Sequence, residues 1–188
     1  MHDTIVRARA LAQLASNPRT VPAAMLVALP EAAKLLFRGG RSAADAAGAA
    51  FGVGLSREPC RFNAKDGRSA FWLGPDEWLL QARNECPTAL VNAVGTALAG
   101  HSHSLVDVSH ASETFAVSGA RSAYVVNHAC PLDLSPQGFP VGMCTRTVFG
   151  KAGVILSRPT PDTLEVEVGR SLAIYVWQWL DEARSELA

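Results

Sequence analysis

The sequence predicts an α+β domain made of two successive strand-helix-meander-helix units, and three observations carry that expectation. A chain of 188 residues with 48% hydrophobic content can bury one sizeable core. The stretch Gly39-Gly40-Arg41-Ser42-Ala43, after an apolar strand, recurs 80 positions later as Gly119-Ala120-Arg121-Ser122-Ala123. The series that follows recurs as well, at an offset drifting from 83 to 85, as loop insertions would produce.

The elements follow in chain order. Residues 1–24, with Asn17, Pro18 and Pro22, read as an N-terminal arm with a short helix over Thr4–Ala15. Residues 25–188 read as the single domain, its pseudo-repeats falling at about 25–103 and 104–188. Met25–Leu29 and Lys34–Arg38 read as strands, and the alanine-rich Arg41–Phe51 as a helix opened by two glycines. Arg61–Asp66, Ser69–Leu73 and Glu77–Ala82 form a meander, joined by Asp66-Gly67 and Gly74-Pro75-Asp76 turns. A helix over Pro87–Ala99 has proline in its first turn and Leu90, Val91, Val94, Ala97 and Leu98 on one face. In the second unit, strands Glu113–Ser118, Val154–Leu156 and Leu164–Val168 precede a last helix. That helix carries a core stripe of Leu172, Val176, Trp179, Leu180, Ala183 and Leu187, with Ile174 and Trp177 away from it. Apolar residues on two faces point to an interface at Ile174 and Trp177.

Seventeen basic and seventeen acidic residues give zero net charge without a like-charge run, which argues against a nucleic-acid partner. Charged residues make up only 18%, a surface suited to association rather than to a free monomer. Cys60, Cys86, Cys130 and Cys144 show no CxxC pair and read as reduced thiols. Early charges interrupt the apolar stretches of the N-terminus, so it reads as lacking a secretory signal, and the uncharged run Cys86–Val106 is too interrupted to span a membrane. The expected location is cytoplasmic.

The chemistry-bearing clusters have modest readings. Gly52-Val53-Gly54 and Gly150-Lys151 lack the spacing of nucleotide loops and read as turns, so no FAD, NAD or ATP site is expected in this chain. His101, His103 and His110 lack a carboxylate or cysteine at a fixed short spacing and read as a solvated loop rather than a metal site. Asp107, Ser109 and His110 contain the residue types of a nucleophile triad, but strand alternation turns His110 away, which favours a turn. Arg41 and Arg121, opening equivalent helices, read as salt bridges within each half, and Arg146 as a partner for Asp133.

Four stretches together resemble the gamma subunit family of heterotetrameric sarcosine oxidase. They are Trp72-Leu73-Gly74-Pro75-Asp76-Glu77-Trp78-Leu79-Leu80, Asp107-Val108-Ser109-His110, Cys130-Pro131-Leu132-Asp133-Leu134 and Phe139-Pro140-Val141-Gly142-Met143-Cys144-Thr145-Arg146-Thr147. Arg170-Ser171-Leu172-Ala173, followed by a helix with Trp177 and Trp179, matches as well. Where the family often has an arginine after the Asp-Val-Ser-His motif, this chain has Ala111. The resemblance implies a fold like the folate-binding domain of aminomethyltransferases. It implies an assembly that oxidises sarcosine to glycine and hydrogen peroxide, with formaldehyde or methylene-tetrahydrofolate. FAD, FMN, NAD and zinc would belong to alpha, beta and delta partner subunits and tetrahydrofolate would be co-substrate, while this chain would hold no cofactor and no catalytic residue.

Its own part would be docking, with interface roles expected for Trp78, Asp107, His110, Ile174, Trp177 and Trp179. An alternative from another class is a stand-alone folate-binding or aminomethyltransferase-like protein, which expects a titratable acid in an apolar pocket, Asp107 or Asp133. A weaker third is a small-ligand or metal sensor at the His101 to His110 loop.

Overall fold

The computed structural model describes residues 20–187. Most of the expected N-terminal arm, including the helix over Thr4–Ala15, lies outside the described residues; at its end, Val21 and Ala24 are fully buried.

The described residues form two five-stranded antiparallel sheets. The first holds β2 (Ala32–Gly39), β3 (Phe62–Lys65), β4 (Arg68–Gly74), β5 (Glu77–Arg83) and β6 (His103–Asp107), in the order β3-β4-β5-β2-β6. The second holds β1 (Met25–Ala28), β7 (Ser112–Ser118), β8 (Cys144–Phe149), β9 (Ala152–Thr160) and β10 (Thr163–Gly169), in the order β1-β7-β10-β9-β8. The two orders correspond strand for strand. One edge strand of each sheet is exchanged: β1 precedes β2 in the chain yet pairs with β7, and β6 precedes β7 yet pairs with β2.

Strand alternation sets the layers. Leu35, Phe37, Ala70, Trp78, Leu80 and Ala82 face helices α1 (Arg41–Phe51) and α2 (Pro87–Ala97) in one core. Phe115, Val117, Val154, Leu156, Val166 and Val168 face α3 (Ser122–Asn127) and α4 (Ala173–Ser185) in another. The opposite faces meet through Phe71, Leu79, Cys144 and Ile155, giving a helix-sheet-sheet-helix stack. At one corner the sheets are hydrogen-bonded: Phe62 N–H donates to the Gly142 carbonyl at 3.0 Å and Cys144 N–H to the Cys60 carbonyl at 2.9 Å.

α1 has the bounds its alanines predict and stops at Gly52, whose φ of 76° gives a left-handed cap. α2 starts on Pro87, whose missing N–H costs nothing in a first turn.

In α4 the sequence reading needs correction. Trp177 is 4% exposed and packs edge-on against Phe115 at 5.5 Å, so it belongs to the core. The buried face is Ala173, Val176, Trp177, Leu180, Ala183 and Arg184, one residue out of phase with the expected stripe; Leu172 and Trp179 turn outward. Both stripes share Val176, Leu180 and Ala183, so periodicity left the phase open by about one residue, roughly 100°. Packing on β7 and β10, where Phe115 receives the Trp177 ring, selects the Trp177 face. Arg184, 1% exposed, enters the core beside Asp181 at 2.6 Å.

Trp78 is corrected likewise. It is 2% exposed, stacks on Phe37 at 5.8 Å and donates its indole N–H to the Ser56 carbonyl at 2.7 Å. Trp78 and Trp177 are therefore core residues and present no surface to a partner.

Candidate functional site

The residues that drew attention in the sequence gather at the seam between the sheets. The Asp107-Val108-Ser109-His110 stretch is the corner where the chain leaves β6 in one sheet for β7 in the other. Asp107 Oδ1 accepts from the Ser109 hydroxyl at 2.6 Å and from the Ser109 N–H at 2.9 Å. The Ser109 hydroxyl and then its N–H hold the Asp107 carboxyl below the usual carboxylate range. Ser109 Oγ in turn accepts the Lys34 N–H at 3.0 Å, which ties the corner to β2. The turn role read from alternation is thus the observed one. His110 is exposed beside a hollow of about 160 Å³ lined also by Glu31, Asn84, Glu85 and Ser109.

A second tie comes from the hairpin and the strand after the 130–143 loop. Glu77, at the β4–β5 turn, accepts a hydrogen bond from Arg146 of β8, and Arg146 also donates to the Leu73 carbonyl at 3.3 Å. This corrects the expected Arg146–Asp133 pair: β8 runs along the margin of the other sheet, so the guanidinium meets Glu77 first. Asp133 Oδ1 instead accepts the Ser135 N–H at 2.9 Å, and that backbone bond, aided by the Ser135 hydroxyl, lowers its carboxyl. Both Asp107 and Asp133 are therefore shifted down. The stand-alone folate reading required a carboxyl raised by an apolar pocket.

A third tie was not foreseen. Lys34, 3% exposed, donates to Ser112 Oγ at 2.9 Å and Thr114 Oγ1 at 3.1 Å, and pairs with Glu167 at 3.3 Å. Arg83 pairs with Glu165 at 3.1 Å, and burial raises the Glu165 carboxyl. Thr163, Glu165 and Glu167 alternate with apolar residues along β10, and the first sheet covers that polar face. A lysine inside the apolar run Ala32-Ala33-Lys34-Leu35-Leu36 was the available signal.

Between the Arg146 and Glu167 ties lies a cleft of about 290 Å³ on the inner face of β8–β10, lined also by Ser112, Gly153, Ile155 and Gly169. Its two charged side chains are already engaged across the seam, so the arrangement joins two sheets rather than presenting a poised acid and base.

The other candidates are dispersed. His101 Nδ1 lies 3.3 Å from Ser42 Oγ, and His103 Nδ1 lies 2.8 Å from the His101 carbonyl, at the start of β6 rather than in a loop. Among the described residues no group of three or more His, Cys, Asp or Glu could hold a metal ion. The Arg121 guanidinium lies over the Tyr124 ring at 4.3 Å, a cation–π contact, and Arg41 is exposed at the start of α1. Gly52-Val53-Gly54 ends α1 and so presents carbonyls, the wrong helix end for a phosphate. Gly150 turns β8 into β9 beneath Trp179, whose ring packs edge-on against Phe149 at 5.8 Å and Tyr175 at 5.6 Å. Trp179 remains 37% exposed and Ile174 45%. Among the described residues no helix is long and apolar enough to cross a membrane.

The chain is similar over its whole described fold to a solved protein chain. It matches, at a TM-score of 0.88 and 28% identity, 96% of a chain from heterotetrameric sarcosine oxidase of Corynebacterium sp. U-96, with 96% of its own length covered. It is 29% identical over 141 residues to the sarcosine oxidase subunit gamma of Arthrobacter sp, covering 74% of this chain and 68% of that one. The alignments span 58 to 68% of the lengths of the curated gamma subunits it matches. A glycine cleavage system aminomethyltransferase T from Bartonella henselae shares the fold, with a TM-score of 0.64 at 14% identity over 86% of this chain and 46% of that one. With residues 39–186 matched by the model for that family, the chain belongs to the sarcosine oxidase gamma subunit family.

Proposed function

We propose that this chain is the gamma subunit of a heterotetrameric sarcosine oxidase and that its contribution is architectural. The observation that carries this reading is the mutual 96% coverage, at a TM-score of 0.88, with a chain of such an enzyme. The seam supports it: Glu77 and Arg146 join the two sheets, and Asp107 and Ser109 fix the corner between them onto β2, all four from the stretches that resemble the family. The assembly oxidises sarcosine to glycine and hydrogen peroxide, releasing formaldehyde or methylene-tetrahydrofolate. Its FAD, FMN, NAD and zinc are carried by alpha, beta and delta subunits, with tetrahydrofolate as co-substrate. The exposed Asp107, His110, Ile174 and Trp179 serve as contacts to those subunits. The corresponding strand orders of the sheets support an origin by duplication of one unit with exchange of its first strand. Free thiols at all four cysteines support a cytoplasmic location.

The test is co-expression of the tagged chain with the other three subunits of its own host. The expected result is a yellow complex of high mass that oxidises sarcosine and releases peroxide. Elution of this chain alone, or full assembly and turnover without it, overturns the reading.

A further inference from the structure

Among the described residues β6 is an edge strand. It pairs with β2 on one side, and no described strand of either sheet lies on the other. His103, Ser104, Val106 and Asp107 are exposed, Val106 to 49%. The Val108 N–H donates to the Lys34 carbonyl at 2.8 Å. Backbone groups alternate along an antiparallel ladder, so Val106 and Ser104 also turn theirs to β2, and His103, Leu105 and Asp107 turn theirs outward. Edges of this kind are ordinarily guarded by a charged residue, above all lysine, a proline or a bulge. β3 carries Lys65 and β8 carries Arg146, whereas the one charge of β6 is Asp107 at its last position, already held by Ser109, and the rest reads His-Ser-Leu-Val in unbroken register.

The helix beside it gives a second, independent observation. From Cys86 to Val106 there is no Asp, Glu, Lys or Arg, in a chain that is 18% charged. α2 lies in this stretch, packed against β2 and β6, and its outer face presents Ala89, Asn92, Ala93 and Thr96. A helix facing water normally carries charge on its outer face. Depletion of charge is instead the compositional mark of an interface centre, where an ion would have to be desolvated.

We propose that the β6 edge and the adjoining α2 face dock an extended, uncharged strand of another subunit of the oxidase, which pairs with β6 and continues the sheet. This assignment rests on the gamma-subunit reading above, since the matched chain comes from a heterotetramer. The outward N–H and C=O groups around Leu105 supply affinity through main-chain hydrogen bonds. The small, neutral α2 surface and the exposed Val106 select a strand without charges.

The test places charge on the edge without touching the β2 ladder. The Ser104→Lys, Val106→Lys double variant and, separately, Ala93→Lys are co-expressed with the other three subunits, with Ala64→Lys on the exposed β3 edge as control. Recovery in the tagged complex is expected to fall about tenfold or more for the edge and α2 variants and to stay at the wild-type level for the control. Circular dichroism and melting of each isolated variant monitor folding, and if the double variant unfolds, Ala93→Lys decides. Wild-type assembly with undiminished recovery of both folded variants overturns the β6 docking surface and leaves the subunit reading standing. Failure of the wild type to assemble overturns the subunit reading. Loss of a self-associated form of the isolated chain, with recovery in the complex unchanged, makes a second copy the occupant and overturns the proposal.

Discussion

Two cysteines show how far local surroundings separate chemically identical side chains. Cys86 sits exposed ahead of α2, where the Ala89 and then the Thr88 backbone N–H groups stabilise its thiolate and lower its pKa. Cys144 is buried in the seam, and desolvation pushes its thiol up to about 12. At pH 8 a disulfide reagent such as DTNB is therefore expected to modify Cys86 in a fast phase that Cys86→Ser abolishes, while Cys144 reacts only on unfolding. Fast labelling of Cys144 in the native chain would contradict its placement. The sequence shows four unpaired cysteines, but which thiol is reactive depends on backbone groups that only the folded chain supplies.

At the scale of elements, α4 is where sequence and structure part most clearly. The apolar pattern specifies a helix there, but the choice between two overlapping stripes depends on the surface it lands on. With Trp177 against Phe115 in the core, Trp177→Ala is expected to cost about 3–5 kcal/mol, whereas the exposed Ile174→Ala costs under about 1 kcal/mol. Urea unfolding of the two variants checks this, and equal effects would restore the original phase. α1 contrasts with α4: alanines, a glycine start and a glycine stop fix its bounds at Arg41–Phe51 without tertiary help. The same glycine-arginine-serine-alanine stretch in the second half yields only the short α3, Ser122–Asn127, with the 130–143 loop inserted after it.

Across the whole molecule, the seam places carboxylates where neither the sheet faces nor water would ordinarily hold them. Burial raises the Glu165 carboxyl above its ordinary 4.5, with Arg83 opposing the shift. A folded-state pKa above the unfolded one means that the folded chain binds the proton more tightly, so stability falls as pH rises from about 4.5 through the raised value. Glu165→Gln removes that titration. The difference in unfolding free energy, variant minus wild type, is expected to rise with pH across this window and to flatten above it, as measured by urea titrations from pH 4 to 8. A difference independent of pH would show that Glu165 titrates as it does in water.

The sequence by itself determined nearly every element and the pairing of each meander, because alternation, alanine content and glycine-proline turns act within a few residues of the chain. Its four distinctive stretches also sufficed to place the chain near its family, since their order and spacing are covalent facts. What only the tertiary structure decided was which polar residues would be covered. Lys34, Glu165 and Glu167 became buried partners because two sheets with exchanged edge strands close over them, and Trp78 and Trp177 became core because helices settle there. Burial is set by what packs against a face from distant parts of the chain, and no local pattern carries that information.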